Sequence, residues 1–129
     1  LEDTNSGWIG FDSSTGFRLP NGAIRSPDAA FLRKERWESL TLEEQEKFIP
    51  LCPDFVIELR SASDSLTDLK EKMQEYISNG SSLGWLIDPL ERKVYSYTSE
   101  QEICFVNPTS ISAAPLIPDF VLQLVDLWS

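Results

Sequence analysis

The sequence predicts a mixed α/β (α+β) domain built on a central mixed β-sheet, and three observations carry that expectation. Residues 54–60 (Asp-Phe-Val-Ile-Glu-Leu-Arg) form a short run of strand-favouring apolar residues, apolar on both faces, as suits a strand covered on both sides. Residues 84–88 (Gly-Trp-Leu-Ile-Asp) form a second run of the same kind. Between them, residues 65–79 read as a helix. Ser65 is placed to cap it, Asp68 suits its electropositive first turn, and Asn79-Gly80 stops it. Leu66, Leu69, Met73, Tyr76 and Ile77 share one face at helical spacing. Strand, helix and strand over this length make a βαβ unit with parallel strands and a right-handed crossover.

The flanking segments read as short strands and turns. Gly7–Phe11 reads as a first strand interrupted by glycines, and residues 12–16 as a turn or an irregular strand end. Phe17-Arg18-Leu19 alternates as a strand does, and Pro20-Asn21-Gly22 is a strong turn signal. Residues 23–32 read as one strand, with Pro27 implying an edge or a bulge. The charged stretch that starts at Arg33 reads as a solvated loop, with a partner-contacting flap as the rival reading. Thr41-Leu42-Glu43-Glu44 is a capping box and opens a short helix from Leu42 to about Phe48, broken by Pro50 and Pro53. Residues 93–98 and 102–106 make an antiparallel hairpin that extends the sheet. Residues 107–118 read as a loop with room for a short strand, and residues 120–128 as a strand or a helical turn.

Composition narrows the function. A chain of 129 residues makes a single domain with one real core. The opening at Leu1 instead of Met leads to the expectation of a missing N-terminal portion. No apolar run is long enough for a membrane helix, so no membrane partner is expected. Cys52 and Cys104 lack CxxC spacing and read as reduced thiols of a cytoplasmic protein. The absence of His removes catalytic triads, histidine bases and most zinc sites. The net charge of −10 lacks the basic footprint usual in nucleic-acid binders, so a local patch or bound cations would have to attract a polyanion.

Glu58 breaks the pattern of its strand. A carboxylate inside an apolar run is costly unless it is paired, hydrogen-bonded or bound to a metal. Sites in open α/β sheets form at the carboxyl ends of strands, which is where Glu58 lies. The plainer alternatives are a Glu that reaches water at the sheet edge, or one paired with Arg60 on the same strand face. Asp28 is the second acid beside an apolar strand. If the two strands are neighbours, Asp28 and Glu58 converge and supply the one or two carboxylates typical of a Mg²⁺ or Mn²⁺ site. If they are not, the acids never meet and the domain is structural.

Ser26-Pro27-Asp28-Ala29-Ala30, the run from Pro53 to Asp64, Lys72-Met73-Gln74-Glu75-Tyr76 and residues 84–89 together resemble the Uma-type branch of the PD-(D/E)XK nuclease superfamily, over about residues 7–128. The resemblance implies a restriction-endonuclease-like fold, bacterial origin and Mg²⁺-dependent DNA endonuclease activity. Asp28 matches the metal-binding Asp and Glu58 the acid of the motif, so both would be catalytic. Arg60 stands where the superfamily usually has Lys. It can hold a phosphate, but it is a poor general base because its pKa lies above ~12. Lys72, on the following helix, matches a lysine of this branch. Asp68, Lys72 and Tyr76 lie along one helical stripe, so Lys72 is placed either over the metal site or as an i,i+4 partner of Asp68. Tyr76 reads as core. The resemblance also implies an N-terminal helix with a further acid, which is expected to belong to the missing N-terminal portion. The rival to an endonuclease is a catalytically inactive nuclease fold kept as a binding or regulatory module. DNA is the expected partner, and a two-fold homodimer would suit cleavage of both strands.

Overall fold

A computed structural model describes residues 2–3 and 7–128; of the polar run that opens the chain, Thr4–Ser6 lie outside them. In chain order the elements are β1 (Glu2–Asp3), β2 (Trp8–Asp12), β3 (Phe17–Arg18), β4 (Ile24–Arg25), β5 (Ala29–Arg33), α1 (Lys34–Glu38), α2 (Leu42–Glu46), β6 (Phe55–Leu59), α3 (Leu66–Ser78), β7 (Leu83–Asp88), β8 (Lys93–Tyr97), β9 (Glu102–Val106), β10 (Ser110–Ser112), β11 (Val121–Gln123) and α4 (Val125–Trp128). Seven strands form the main sheet in the order β1-β2-β5-β6-β7-β8-β9. Among the described strands of this sheet only β6 and β7 pair in parallel, and α3 is the crossover between them. The other main-sheet pairs are antiparallel, so the sheet is mixed, as expected.

The period of two along each strand divides the core between the two faces of the sheet. Ile9 and Phe11, Ala30 and Leu32, Val56, Leu86, and Tyr95 and Tyr97 belong to one cluster. That face is covered by Leu69, Met73 and Tyr76 of α3 and by Phe17, Leu19, Ile49 and Cys52. Trp8, Phe55 and Ile57, Trp85 and Ile87, and Val94 belong to the other cluster. There the C-terminal segment closes the core with Ile111, Ala113, Ile117, Leu124 and Trp128. Both faces of β6 and β7 are therefore dry, which is why their sequences are continuous apolar runs.

Gly84 brings α3 close to the sheet. A Cβ there would lie 2.7 Å from Met73 Cε and 3.3 Å from Val56 Cγ2. The helix ends are as expected. The Ser65 side chain accepts from the Asp68 N–H, Asn79 is the C-cap, and Gly80 takes a φ of 119°. The Thr41–Glu44 capping box is present, and its helix runs from Leu42 to Glu46.

Three expectations change. Residues 23–32 are not one strand. The chain leaves β4 after Arg25, runs irregularly through Ser26–Asp28 and re-enters the sheet at Ala29. Pro27 has no N–H to give a ladder, and the irregular stretch frees the Asp28 side chain to bond another strand. The charged stretch after Arg33 contains a helical turn, Lys34–Glu38, which sits beside the sheet because Trp37 packs on Phe11 at 5.3 Å. The C-terminal segment holds both alternatives in succession, strand β11 and then the turn α4.

Candidate active site

The register of β5 on β6 sets the site. Ala29 pairs with Ile57 in an antiparallel ladder, so one step further brings Asp28 opposite Glu58. The two residues interlock. The Asp28 N–H donates to Glu58 Oε1 at 3.2 Å, and the Leu59 N–H donates to Asp28 Oδ2 at 2.7 Å. The sheet thus joins two acids that lie 30 positions apart in sequence. Asp28 is exposed, whereas Glu58 is only 4% exposed.

Glu58 shares the face of Val56, which is the face under α3. The helix supplies its remaining partners. Tyr76 donates its hydroxyl to Glu58 Oε2 at 3.1 Å. Lys72 Nζ lies 3.7 Å from the same oxygen, and its side chain is 38% exposed. Four residues apart, Lys72 and Tyr76 project from one helical stripe, and Met73 anchors that stripe against Gly84. Lys72 is therefore paired with Glu58 across the sheet–helix boundary. Tyr76 is both core and a donor to the acid, a role its apolar spacing concealed.

Burial pushes the Glu58 carboxyl above its usual value. Lys72 offsets part of the rise, and the negative charge of Asp28 adds to it. Burial and the neighbouring carboxylate raise the Tyr76 phenol far enough that it stays a proton donor at neutral pH. The buried acid therefore has neutral donors on both oxygens and a lysine too distant for a short hydrogen bond.

Asp28 and Glu58 are the pair that could hold a metal. Their oxygens suit a small hard cation, which commonly takes one or two protein carboxylates and completes its shell with water and phosphate. Among the described residues no group of three or more His, Cys, Asp or Glu side chains is placed to hold an ion, so solvent or substrate would supply the other ligands.

Arg60 does not reach this pair. β6 ends at Leu59, and the Arg60 guanidinium turns to the end of the neighbouring strand. Its Nη1 lies 2.9 Å from Asp88 Oδ2 and 3.4 Å from Glu91 Oε2, and its Nε donates to the Asp64 carbonyl at 3.3 Å. The expectation that Arg60 shares the site with Glu58 through same-face spacing fails because the strand stops one residue earlier. A fully buried acid at the end of β7 then captures the guanidinium. Asp88 was visible in the sequence as an acid that ends an apolar strand, the same signal that marks Glu58.

The comparisons with known proteins agree with this architecture. The structure superposes with a TM-score of 0.78 on a crystal structure from Anabaena variabilis titled as "a putative nuclease belonging to DUF820", at 23% identity, over 97% of this chain and 70% of that one. None of the curated proteins matches the chain. Residues 1–125 match the family model Uma2, described as "Putative restriction endonuclease". The chain belongs to the Uma2 family.

Proposed function

We propose that this chain hydrolyses phosphodiester bonds in DNA with the help of a divalent cation, Mg²⁺ or Mn²⁺, held by Asp28 and Glu58. The observation that carries the reading is the interlocked Asp28–Glu58 pair, with Lys72 Nζ 3.7 Å from Glu58 at the edge of solvent. A bound cation would lower the pKa of an attacking water and neutralise charge on the phosphate. Asp28 presents its carboxylate to solvent and is fixed through Leu59 N–H. Glu58 is oriented by Tyr76 and by the Asp28 backbone. Lys72, anchored at its base by α3 and with its ammonium beside Glu58 at the edge of solvent, is placed to hold the attacking water or a phosphate oxygen. Arg60 braces the ends of β6 and β7 and does not contact the acid pair.

The test is a calorimetric titration of Mn²⁺ and Mg²⁺, alone and with an oligonucleotide, followed by DNA cleavage assays. Saturable binding and cleavage that are both lost in Asp28→Asn and Glu58→Gln support the reading. Lys72→Gln should keep the cation and lose turnover, by about 100-fold on the usual scale for an acid–base or electrostatic catalyst. Cation binding indifferent to both acid substitutions would overturn the mechanism. The capture of Arg60 by Asp88 favours a second reading, an inactive nuclease fold that binds DNA without cutting it. Binding with no cation-dependent cleavage is its signature.

A further inference from the structure

Away from the acid pair, a cleft of about 560 Å³ opens between the 14–18 segment and the 45–48 segment. Ser14, Thr15, Arg18, Glu46, Lys47 and Phe48 contribute to its wall. We propose that this cleft is a nucleotide subsite for single-stranded DNA, in which a base stacks on Phe48 and a phosphate rests on Arg18. The assignment of DNA rests on the nuclease reading above; the cleft and its chemistry do not.

Three features single out the cleft. The first is the aromatic ring. Phe48 is 50% exposed and rests on the bare backbone of Gly16, where a Cβ would lie 2.6 Å from Cδ1 and 2.8 Å from Cε1. Its chain neighbour Ile49 is buried and bonds both sides of β3, donating to the Gly16 carbonyl at 3.0 Å and accepting from the Arg18 N–H at 2.8 Å. That clamp holds Phe48 outward on a fixed backbone. An exposed ring seated on a bare residue is a stacking platform, and such platforms tolerate any base.

The second feature is charge. Arg18 is exposed and makes no side-chain hydrogen bond or ion pair among the described residues. Lys47 pairs with Glu43 at 2.9 Å, but both side chains are at least 70% exposed, a pair weak enough for a phosphate to displace. Glu46 opposes these cations in the wall. With Glu43 on Lys47 and Glu46 in the wall, the charges around the cleft balance, and Arg18 is the cation left to meet a phosphate in a chain of net charge −10.

The third feature is place. The Cβ position on Gly16 is 3.5 Å from Ser26 Oγ. Ser26 precedes Asp28 by two residues, which span at most about 7 Å of chain. Gly16, in the cleft wall, is thus joined through Ser26 to the loop that carries Asp28, and a strand held at Asp28 would have the cleft within reach. Its volume also lies in the range of small-molecule sites, roughly 300–1,000 Å³.

The experiment is fluorescence anisotropy of a labelled oligothymidylate of about 12 nucleotides. It is run on the chain in EDTA, so that no divalent cation contributes. Phe48→Ala should weaken binding by about tenfold, and Phe48→Trp should restore it. Arg18→Ala should flatten the log-affinity against log-salt slope by about 0.7, the loss of one phosphate contact on a single strand. No binding by the unmodified chain, or equal affinity and slope in both alanine variants, overturns the subsite. Cleavage abolished by Asp28→Asn, together with normal binding by the Phe48 and Arg18 variants, would remove the subsite and leave the nuclease reading standing. Binding that depends on Phe48 and Arg18 without cation-dependent cleavage would keep the subsite and remove the nuclease.

Discussion

Glu58 and Asp88 are two buried acids at the carboxyl ends of neighbouring parallel strands, and they are satisfied in opposite ways. Asp88 is fully buried and its partners complete its shell. Arg60 lies 2.9 Å from one oxygen, and the Leu90 and Glu91 backbone N–H groups bond the other at 3.0 and 3.3 Å. Glu58 has a tyrosine hydroxyl, one backbone N–H at 3.2 Å and a lysine at 3.7 Å, with a second carboxylate beside it. A carboxylate fully met by cation and amides is a structural brace. One left short of positive charge beside another acid is a group that a cation would complete. The location of an acid at a strand end does not separate these roles; its bonding shell does.

The largest expected effect falls on the brace. Asp88→Ala should lower unfolding free energy by about 3 kcal/mol, since it leaves the Leu90 and Glu91 N–H groups without their acceptor and takes from Arg60 its nearest partner. Urea denaturation measures it, and a loss below about 1 kcal/mol would mean that the pair is no more than a surface bridge. Cation titration of the same variant should be unchanged. Glu58→Gln should show the reverse, with cation affinity down by at least about 100-fold, the upper range for losing even an outer partner of a metal ligand. Its stability at neutral pH should be equal or higher, because the buried charge is gone. A large drop in stability would place Glu58 with Asp88 as a brace.

The pH dependence sharpens the contrast. Burial raises Glu58 above its ordinary 4.5. Between those two values the native state keeps a proton that the unfolded chain has released, so stability falls as pH rises through that window and is greatest below it. Urea midpoints across the window should show this fall in the native chain relative to Glu58→Gln, in which it is absent. A stability difference that grows in favour of the native chain as pH rises would give Glu58 the depressed pKa of a well-paired acid. The smallest effect is that of Tyr76→Phe. It removes one hydroxyl donor from Glu58 Oε2, should cost about 1 kcal/mol, and should steepen the same pH slope. An unchanged slope would mean that Tyr76 does not tune the acid.

Much of this was legible in the chain. The βαβ unit, the caps at Ser65 and Thr41 and the Asn-Gly turn all depend on residues within a turn or two of one another, and each formed as read. The break at Ser26–Asp28 was half legible. Pro27 forbade a regular central strand, but only the Leu59 N–H explains why Asp28 leaves the ladder. The helical turn at Lys34–Glu38 was hidden by its charges, because Trp37 is its single large apolar contact. Lys72 and Tyr76 were visible as a stripe and Lys72 as a candidate for the metal site, whereas the Tyr76 hydroxyl bond to Glu58 was not.

Local spacing determined which residues are acids in dry strands, which helix faces the sheet and where its ends lie, because these properties follow from backbone periodicity and short-range hydrogen bonds. Only the tertiary structure decided which basic group serves which acid. Strand spacing offered Arg60 as one partner of Glu58, and helical spacing left Lys72 either over the metal site or beside Asp68. The end of β6 at Leu59 gave Arg60 to Asp88, and the close approach of α3 over Gly84 gave Lys72 to Glu58. Pairing between charges depends on distances across elements, and those are set by packing, which no spacing along one strand or helix contains.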